Sequence, residues 1–267
     1  MNIAILLTIM TLASSGADPS SGPLEKFLPL GKGQIALNTP QGKKMLMESK
    51  AQAYWDLTNF YAPQHNSGSC SVASCIMVLN ALPVPRPEPD KHRPYRLFTP
   101  ENFFTQEVAA ILLEKNKKSY PEVNLKEFLK AACETVSGSG MTLEQLDRVM
   151  STHPVRVERF HAKGTGVKEF RKRVAENLAC PNKHVVVNYL RKSLGQVEFG
   201  HISPLGAYHK GTDMVLILDT ANYKYPWTWV PVDDLWRAMA EVDSMSKQAR
   251  GYLCVLSADE ANAKQRR

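Results

Sequence analysis

Cys70 is the residue of this chain best placed to act as a nucleophile. The apolar spacing over residues 70–81 predicts a helix, and residues 66–69 form a predicted turn rich in helix-capping side chains. A thiol attacks a carbonyl carbon as its thiolate, and the unpaired N–H groups at a helix start favour negative charge. We therefore predict that Cys70 carries a reactive thiol, reachable at the turn. A cysteine at a helix start is equally consistent with a structural role. The residues predicted to lie beside Cys70 must therefore decide between a structural and a catalytic role.

Gln64, His201 and Asp219 are the predicted partners of Cys70. Gln64 lies six positions before Cys70, where its carboxamide and the backbone N–H of Cys70 can supply the two donors that a tetrahedral oxyanion needs. His201 follows Gly200 at a predicted strand start, and Asp219 ends an apolar run. Two adjacent antiparallel strands would place that carboxylate beside the imidazole, as in a catalytic triad. Each residue alone has an ordinary structural interpretation, but the set favours catalysis.

The elements that must position these side chains divide the chain into two halves. In the first half the pattern predicts a short helix over 38–51 and further helices beginning at Thr99, Asn124 and Thr142. The second half holds predicted strands over residues 155–160, 184–189, 202–208, 214–219 and 252–257, with helices over 167–178 and 233–242. We predict an α+β fold in two lobes, with the helical N-terminal half packed on an antiparallel sheet.

Composition and charge narrow the class of protein. With 267 residues, 43% hydrophobic and 22% charged, the chain can build one substantial core or at most two small ones. The net charge of +7 admits an anionic substrate, a membrane surface or nucleic acid as partner. Short basic clusters at 115–118 and 171–173 fall on predicted helices without interleaved aromatic residues. This favours a solvated face, and we predict no nucleic-acid partner.

The five cysteines do not form a metal-binding pattern. Cys70, Cys75, Cys133, Cys180 and Cys254 are odd in number and dispersed, without C-x-x-C spacing. Three of them, Cys75, Cys133 and Cys254, lie in apolar periodic surroundings that predict small core residues. A protein that sequesters metal ions needs clustered soft ligands, and these cysteines are dispersed, so we predict no metal site of the protein's own. This argues against the alternative of a non-enzymatic thiol- or metal-binding protein.

The N-terminal residues are typical of an export signal. Residues 3–13 are largely apolar and are followed by small residues, although the usual basic n-region is missing. We predict a signal peptide over 1–17, a flexible segment over 18–33, a catalytic domain over 34–257 and a disordered tail over 258–267. The mature protein would then be periplasmic or secreted and, after signal cleavage, without membrane contact. An uncleaved anchor is the alternative.

Motifs along most of the chain resemble the phytochelatin synthases, in particular the short bacterial type. The resemblance runs from about residue 30 to 257, in matching order and spacing. It rests on Gln64-x5-Cys70-x-Val72-Ala73-Ser74, Met77-Val78-Leu79-Asn80, Tyr95-Arg96-x-Phe98-Thr99, Glu101-Asn102-Phe103-Phe104, Met141-Thr142-Leu143, Phe170-Arg171, Val187-Asn188-Tyr189-Leu190-Arg191, Gly200-His201-Ile202-Ser203-Pro204-Leu205, Asp219-x3-Tyr223-Lys224-Tyr225-Pro226 and Val242-Asp243-Ser244.

The resemblance implies a papain-like fold and a glutathione substrate. Enzymes of this family release glycine from glutathione through a γ-glutamylcysteinyl thioester on the cysteine, and pass the acyl group to water or to a second glutathione, which gives phytochelatin for heavy-metal detoxification. It implies the triad Cys70, His201 and Asp219, with Gln64 in the oxyanion hole. No cofactor is implied for the first step, whereas a heavy-metal ion such as cadmium would stimulate the reaction or be bound as a thiolate with substrate. A homodimer is left open.

The resemblance also implies residues that bind the substrate. These are Asn188, Gly200, Ser203, Asp243 and Arg250, of which the last two match a segment near the γ-glutamyl pocket. A guanidinium suits a carboxylate because it can bind both oxygens at once.

Three positions depart from the family pattern, and a second enzyme class stays open. Ser71, Asn222 and Trp227 stand where glycine, arginine and proline are usual. We expect these changes to weaken binding of the acyl acceptor and to favour hydrolysis. The alternative within enzymes is a papain-like peptidase or amidase with another substrate.

Overall fold

The computed structural model describes residues 27–89, 91, 93–114, 124–197 and 199–258. The predicted signal peptide, most of the predicted flexible segment, the basic cluster at 115–118 and the tail beyond residue 258 lie outside these residues. Within them, no helix is both long and apolar enough to cross a bilayer.

Helices dominate the first half of the chain and strands the second. The helices are α1 (Pro40–Glu48), α2 (Gln52–Thr58), α3 (Cys70–Ala81), α4 (Pro100–Phe103), α5 (Gln106–Leu112), α6 (Leu125–Ser139), α7 (Leu143–Met150), α8 (Val167–Asn177) and α9 (Val232–Ala240). The strands are β1 (Ile35–Ala36), β2 (Val155–His161), β3 (Lys183–Leu190), β4 (Gly200–His209), β5 (Met214–Ile217), β6 (Thr228–Pro231) and β7 (Gly251–Ser257). The predicted α+β class is confirmed.

Local capping explains where several helices begin. The hydroxyl of Thr142 accepts a hydrogen bond from the backbone N–H of Gln145 at 3.1 Å, and the Gln145 side chain accepts one from the N–H of Thr142 at 3.0 Å. This capping box starts α7 as the sequence predicts. A helix begins after Thr99 as predicted, but its continuation as a single helix to Leu112 is wrong, because the chain forms α4 and α5 instead. Thr105 accepts a hydrogen bond from the N–H of Val108 and so caps a second helix after the first has ended.

The strands form one antiparallel sheet of seven, in the order β1-β6-β5-β4-β3-β7-β2. Successive residues of a strand point to opposite faces, and His184 to Tyr189 are all buried in β3. Both faces of the sheet centre are therefore covered: α2 and α3 pack on β4, and α8 and α9 pack on β3. The five predicted strands are confirmed, whereas β1 and β6 were not predicted.

Helix α3 lies in the middle of the molecule, since every residue from Cys70 to Asn80 is buried. Its contact with β4 brings the start of a helix from the first half against a strand of the second half. Cys75 and Cys254 are buried as predicted, but the prediction for Cys133 is wrong. That thiol is exposed because α6 turns its Ala131, Ala132 and Val136 face to the core instead.

Candidate active site

Cys70 is the first residue of α3, and a tight loop holds the helix start in place. The side-chain oxygen of Asn66 accepts hydrogen bonds from the backbone N–H groups of Gly68 at 3.0 Å and Ser69 at 3.1 Å. A Cβ atom on Gly68 would lie 2.3 Å from the carbonyl oxygen of Ser137, so only glycine fits this approach. Ser69 provides no side-chain cap for α3. The positive end of the helix is therefore directed at Cys70.

His201 and Asp219 meet Cys70 from the sheet. His201 is the second residue of β4, and Asp219 follows the end of β5, its antiparallel neighbour. The Nε2 atom of His201 lies 3.0 Å from a carboxylate oxygen of Asp219, and the imidazole also hydrogen-bonds the Cys70 thiol. Since Nε2 faces the carboxylate, Nδ1 is left to face sulfur. The structure thus brings the three predicted triad residues together.

Charges in this buried cluster favour the thiolate. Burial acts to raise the pKa of Cys70, but the nearby charge of His201, hydrogen bonds from His201 and the Ile202 backbone, and the charge of Arg191 hold it below its ordinary value. Burial acts to lower the pKa of His201, and the carboxylate of Asp219 outweighs this and raises it. One turn deeper, burial and the neighbouring Cys70 raise the pKa of Cys75, which suits an inert core thiol.

Arg191 is a site residue that the sequence analysis missed. It follows β3, is 3% exposed, and its Nη2 atom lies 2.8 Å and 2.7 Å from the two oxygens of Asp219. The backbone N–H of Ala221 donates a further hydrogen bond to that carboxylate at 2.8 Å. Burial acts to raise the pKa of Asp219, yet His201 and Arg191 hold it well below its usual range. The sequence did contain a signal for such a residue: Asp219 ends an apolar run, which is typical of a buried position, and a buried carboxylate requires a cation beside it.

Gln64 is buried and is held by hydrogen bonds from both ends of its carboxamide. Its Oε1 accepts a hydrogen bond from the hydroxyl of Thr220 at 3.2 Å. Its Nε2 donates to the carbonyl oxygen of Asn66 at 2.7 Å and to the hydroxyl of Tyr223 at 3.1 Å. Tyr223 is half exposed and therefore the partner that can most easily move. Gln64 and Cys70 line the same cavity.

That cavity has a volume of about 310 Å³ and contains most of the predicted substrate residues. Arg250 donates from Nη1 to Asn188 at 2.9 Å and to Asp243 at 3.0 Å, and all three side chains are buried. The Nδ2 atom of Asn188 has no hydrogen-bond partner among the described residues. A Cβ atom on Gly200 would lie 2.6 Å from the Arg250 guanidinium, which explains the glycine before His201.

Three other residues singled out in the sequence lie off the cavity surface. Ser203 is fully buried and accepts a weak hydrogen bond from the N–H of Thr220 at 3.4 Å. Ser71 is also fully buried and does not line the cavity. Asn222 lines a different groove.

Among the described residues, no group of three or more histidine, cysteine and carboxylate side chains is arranged to hold a metal ion. The expected effect of a heavy-metal ion such as cadmium stays a prediction.

The electrostatics predict an early titration of Cys70, measurable without any substrate. Because its pKa is depressed, the thiolate persists below the ordinary cysteine value of about 8.5 and is lost only as the pH falls through the depressed pKa. Iodoacetamide should therefore label Cys70 at lower pH than it labels Cys133, an exposed thiol of the same chain. The measurement is peptide mass spectrometry after timed labelling across pH.

Asp219→Asn is the matched variant for this titration. It removes the charge that raises the pKa of His201, so the labelling profile of Cys70 should move to higher pH while that of Cys133 stays in place. Identical profiles for the two thiols in the unchanged protein would show that the cluster does not activate Cys70.

The chain is similar to known proteins along most of its length. The family model described as phytochelatin synthase matches residues 26–252. The chain is 34% identical over 240 residues to glutathione gamma-glutamylcysteinyltransferase 3 of Lotus japonicus. The aligned region covers 88% of this chain and 45% of that protein. It is 27% identical over 231 residues to glutathione gamma-glutamylcysteinyltransferase of Schizosaccharomyces pombe, covering 84% and 49%. The chain spans about half the length of the curated relatives it matches. It belongs to the phytochelatin synthase family.

Proposed function

We propose that this chain cleaves glutathione, releasing glycine through a γ-glutamylcysteinyl thioester on Cys70. The observation that carries the proposal is the buried series Cys70, His201, Asp219 and Arg191 beside a cavity that holds a buried arginine–aspartate pair. The names of the relatives, glutathione gamma-glutamylcysteinyltransferases, support the same substrate. A peptidase with a neutral substrate would have no use for a charged pair buried within the cavity.

In the first step, the sulfur of Cys70 attacks the carbonyl carbon of the cysteinyl–glycine amide. The C–N bond then breaks, and His201 as imidazolium gives its proton to the departing glycine nitrogen. Asp219 holds the imidazole in orientation and stabilises its charged form, and Arg191 fixes Asp219. Nucleophile, acid and carboxylate are all side chains, so this step requires no cofactor.

The developing oxyanion needs preorganised donors, which the start of α3 and Gln64 can supply. The backbone N–H of Cys70 lies at the positive end of the helix. The two N–H bonds of Gln64 are occupied by Asn66 and Tyr223, so a substrate oxygen must displace one of these acceptors. We assign this displacement to the half-exposed Tyr223. The exchange replaces one hydrogen bond with another and adds little to the barrier.

The buried pair in the cavity suits the two charges of a γ-glutamyl group. That group ends in an α-carboxylate and an α-ammonium on the same carbon. Arg250 matches the carboxylate and Asp243 the ammonium, and the unpaired Nδ2 of Asn188 is a further donor. Because the two protein charges already neutralise each other, an α-amino acid end, which is itself neutral overall, enters without leaving a buried charge uncompensated.

Three wider features are part of the same proposal. We place the site in the cleft of a papain-like two-lobed fold, with α3 supplying the nucleophile and β4 the base. We place the protein in the periplasm or outside the cell after removal of residues 1–17. Glutathione is the partner on which the proposal rests, and a homodimer stays open.

Cys70→Ala should abolish glycine release, whereas Cys75→Ala should leave it nearly intact. Only the first thiol lies on the cavity and is paired with His201, while the second lies one turn deeper in the core. The measurement is the rate of glycine formation from glutathione with no metal added. Turnover by Cys70→Ala that matches the unchanged protein would remove Cys70 as nucleophile.

Arg250→Lys should lower kcat/KM for glutathione by roughly ten- to a hundredfold, about 1.4–2.7 kcal/mol. An ammonium cannot reproduce the two-pronged contact of a guanidinium with a carboxylate. Arg171→Lys is the matched control, because that arginine pairs with Asp213 and Asp233 on another part of the chain. Equal losses in both variants would show a general effect on folding instead of a substrate contact.

The thioester should pass mainly to water at low glutathione. Among the described lysine and arginine side chains that line the cavity, Arg191 is paired with Asp219 and Arg250 is assigned to the α-carboxylate of the first glutathione, which leaves Lys224 for an acceptor that carries two carboxylates. A weakly held amine competes poorly with water at its high concentration. Mass spectrometry at several glutathione concentrations, with and without cadmium, should show γ-glutamylcysteine in excess. An excess of (γ-Glu-Cys)2-Gly at low millimolar glutathione would contradict this.

A further inference from the structure

A second, mostly apolar groove of about 590 Å³ lies apart from the proposed active site. Large hydrophobic side chains beside it are exposed to an unusual degree: Met47 is 77% exposed, Trp55 54% and Phe27 49%. Clustered exposure of this kind marks a surface that meets an apolar partner. We call these residues, together with the exposed Lys43, Lys44 and Lys50, the Met47 face.

The Met47 face is built on fixed elements. Its side chains come from α1, from α2, from Lys50 between these helices, and from the chain segment that leads into β1. The ring of Trp55 packs edge-on against Tyr54 at 4.9 Å, and Tyr54 packs edge-on against Trp227 at 6.0 Å. The backbone N–H of Leu28 donates a hydrogen bond to the carbonyl oxygen of Lys224 at 2.9 Å. The aromatic surface is therefore presented without any ordering cost at the moment of contact.

Cations surround the apolar part of the face. Lys43, Lys44 and Lys50 are exposed, and Glu48 is the acidic side chain among them on α1. Its carboxylate is shared between Lys44 at 3.8 Å and His209 at 3.3 Å. Tryptophan and long basic side chains around an apolar centre are the composition of surfaces that bind the headgroup layer of anionic membranes.

The described part of the chain begins at this face. Phe27 lines the groove, and residues 14–26 separate it from the apolar run over residues 3–13. Thirteen residues span at most roughly 45 Å. In the uncleaved form, a bilayer that receives the run therefore comes within reach of the Met47 face, and after removal of residues 1–17 the face makes the contact by itself.

We propose that the Met47 face docks on the surface of an anionic lipid bilayer, with Met47 and Trp55 in the headgroup layer. A second copy of the chain is a poorer occupant, because a symmetric interface would set the lysines of one copy against those of the other. The proposal replaces the expectation, drawn from the sequence, that the chain lacks membrane contact after signal cleavage. It is independent of the proposed reaction.

Vesicle co-sedimentation of the full chain tests the affinity. Binding to vesicles that contain phosphatidylglycerol should exceed binding to pure phosphatidylcholine vesicles and should weaken as salt rises. Met47→Glu should weaken binding by about tenfold, because it places a charge at the centre of the contact. Leu125→Glu, at an exposed leucine of α6, is the control and should leave binding unchanged. Equal thermal transitions of both variants establish that they are folded.

Brominated lipids separate docking of this face from insertion of residues 3–13 alone. Bromine on the acyl chains quenches nearby tryptophan, so the quenching seen in the unchanged protein should disappear in Trp55→Phe. Sedimentation without Trp55 quenching, and without an effect of Met47→Glu, would show that the N-terminal run binds by itself and would overturn the proposal. So would lipid-free self-association that Met47→Glu abolishes, since the occupant would then be a second copy.

Discussion

The buried carboxylate of Asp219 is the constraint on which the site depends. An isolated carboxylate in a protein interior costs several kcal/mol, so it persists only with partners on each oxygen. Arg191 and His201 supply them, and Cys70 follows as the next charge. The signs alternate along the series: guanidinium, carboxylate, imidazolium, thiolate. Each charge stabilises its neighbours, and this holds the pKa of the Cys70 thiol below its ordinary value although burial by itself would raise it.

Much of the fold could be predicted because the deciding signals are local. The helix that begins at Cys70 and the capping box at Thr142 are determined by residues close to them in the sequence, and both predictions are confirmed. The errors arose where local signals compete or where tertiary packing decides. Thr105 offered a second cap that split one predicted helix, and the orientation of α6, which exposes Cys133, is set by its packing on α5. Strand β1 has two residues and exists only through its pairing with β6.

The sequence predicted the site residues whose side chains have distinctive chemistry. It predicted less well the residues that act by positioning another side chain. Cys70 and His201 are recognisable by type and setting. Arg191 was missed because its contact with Asp219 joins positions 28 residues apart, which only the register of β3, β4 and β5 defines. Ser203 lies two residues after His201 on β4, so the two side chains share one face of the strand. Ser203 is nevertheless buried beside Thr220 and does not line the cavity, because Thr220 packs over it at that point. Proximity in sequence was a poor guide to which residues line the cavity.

The segment after Asp219 joins the two concave surfaces of the molecule. Ala221 and Lys224 line the cavity, whereas Asn222 and Trp227 line the apolar groove. Tyr61, which packs on Trp227 at 5.2 Å, donates a hydrogen bond to the backbone carbonyl of Asp219 at 3.1 Å. One short segment therefore carries both the carboxylate of Asp219 and a wall of the apolar groove. Since the Tyr61 hydroxyl holds the backbone of Asp219 while its ring packs on Trp227, the position of the carboxylate depends on packing at the groove as well as on Arg191 and His201.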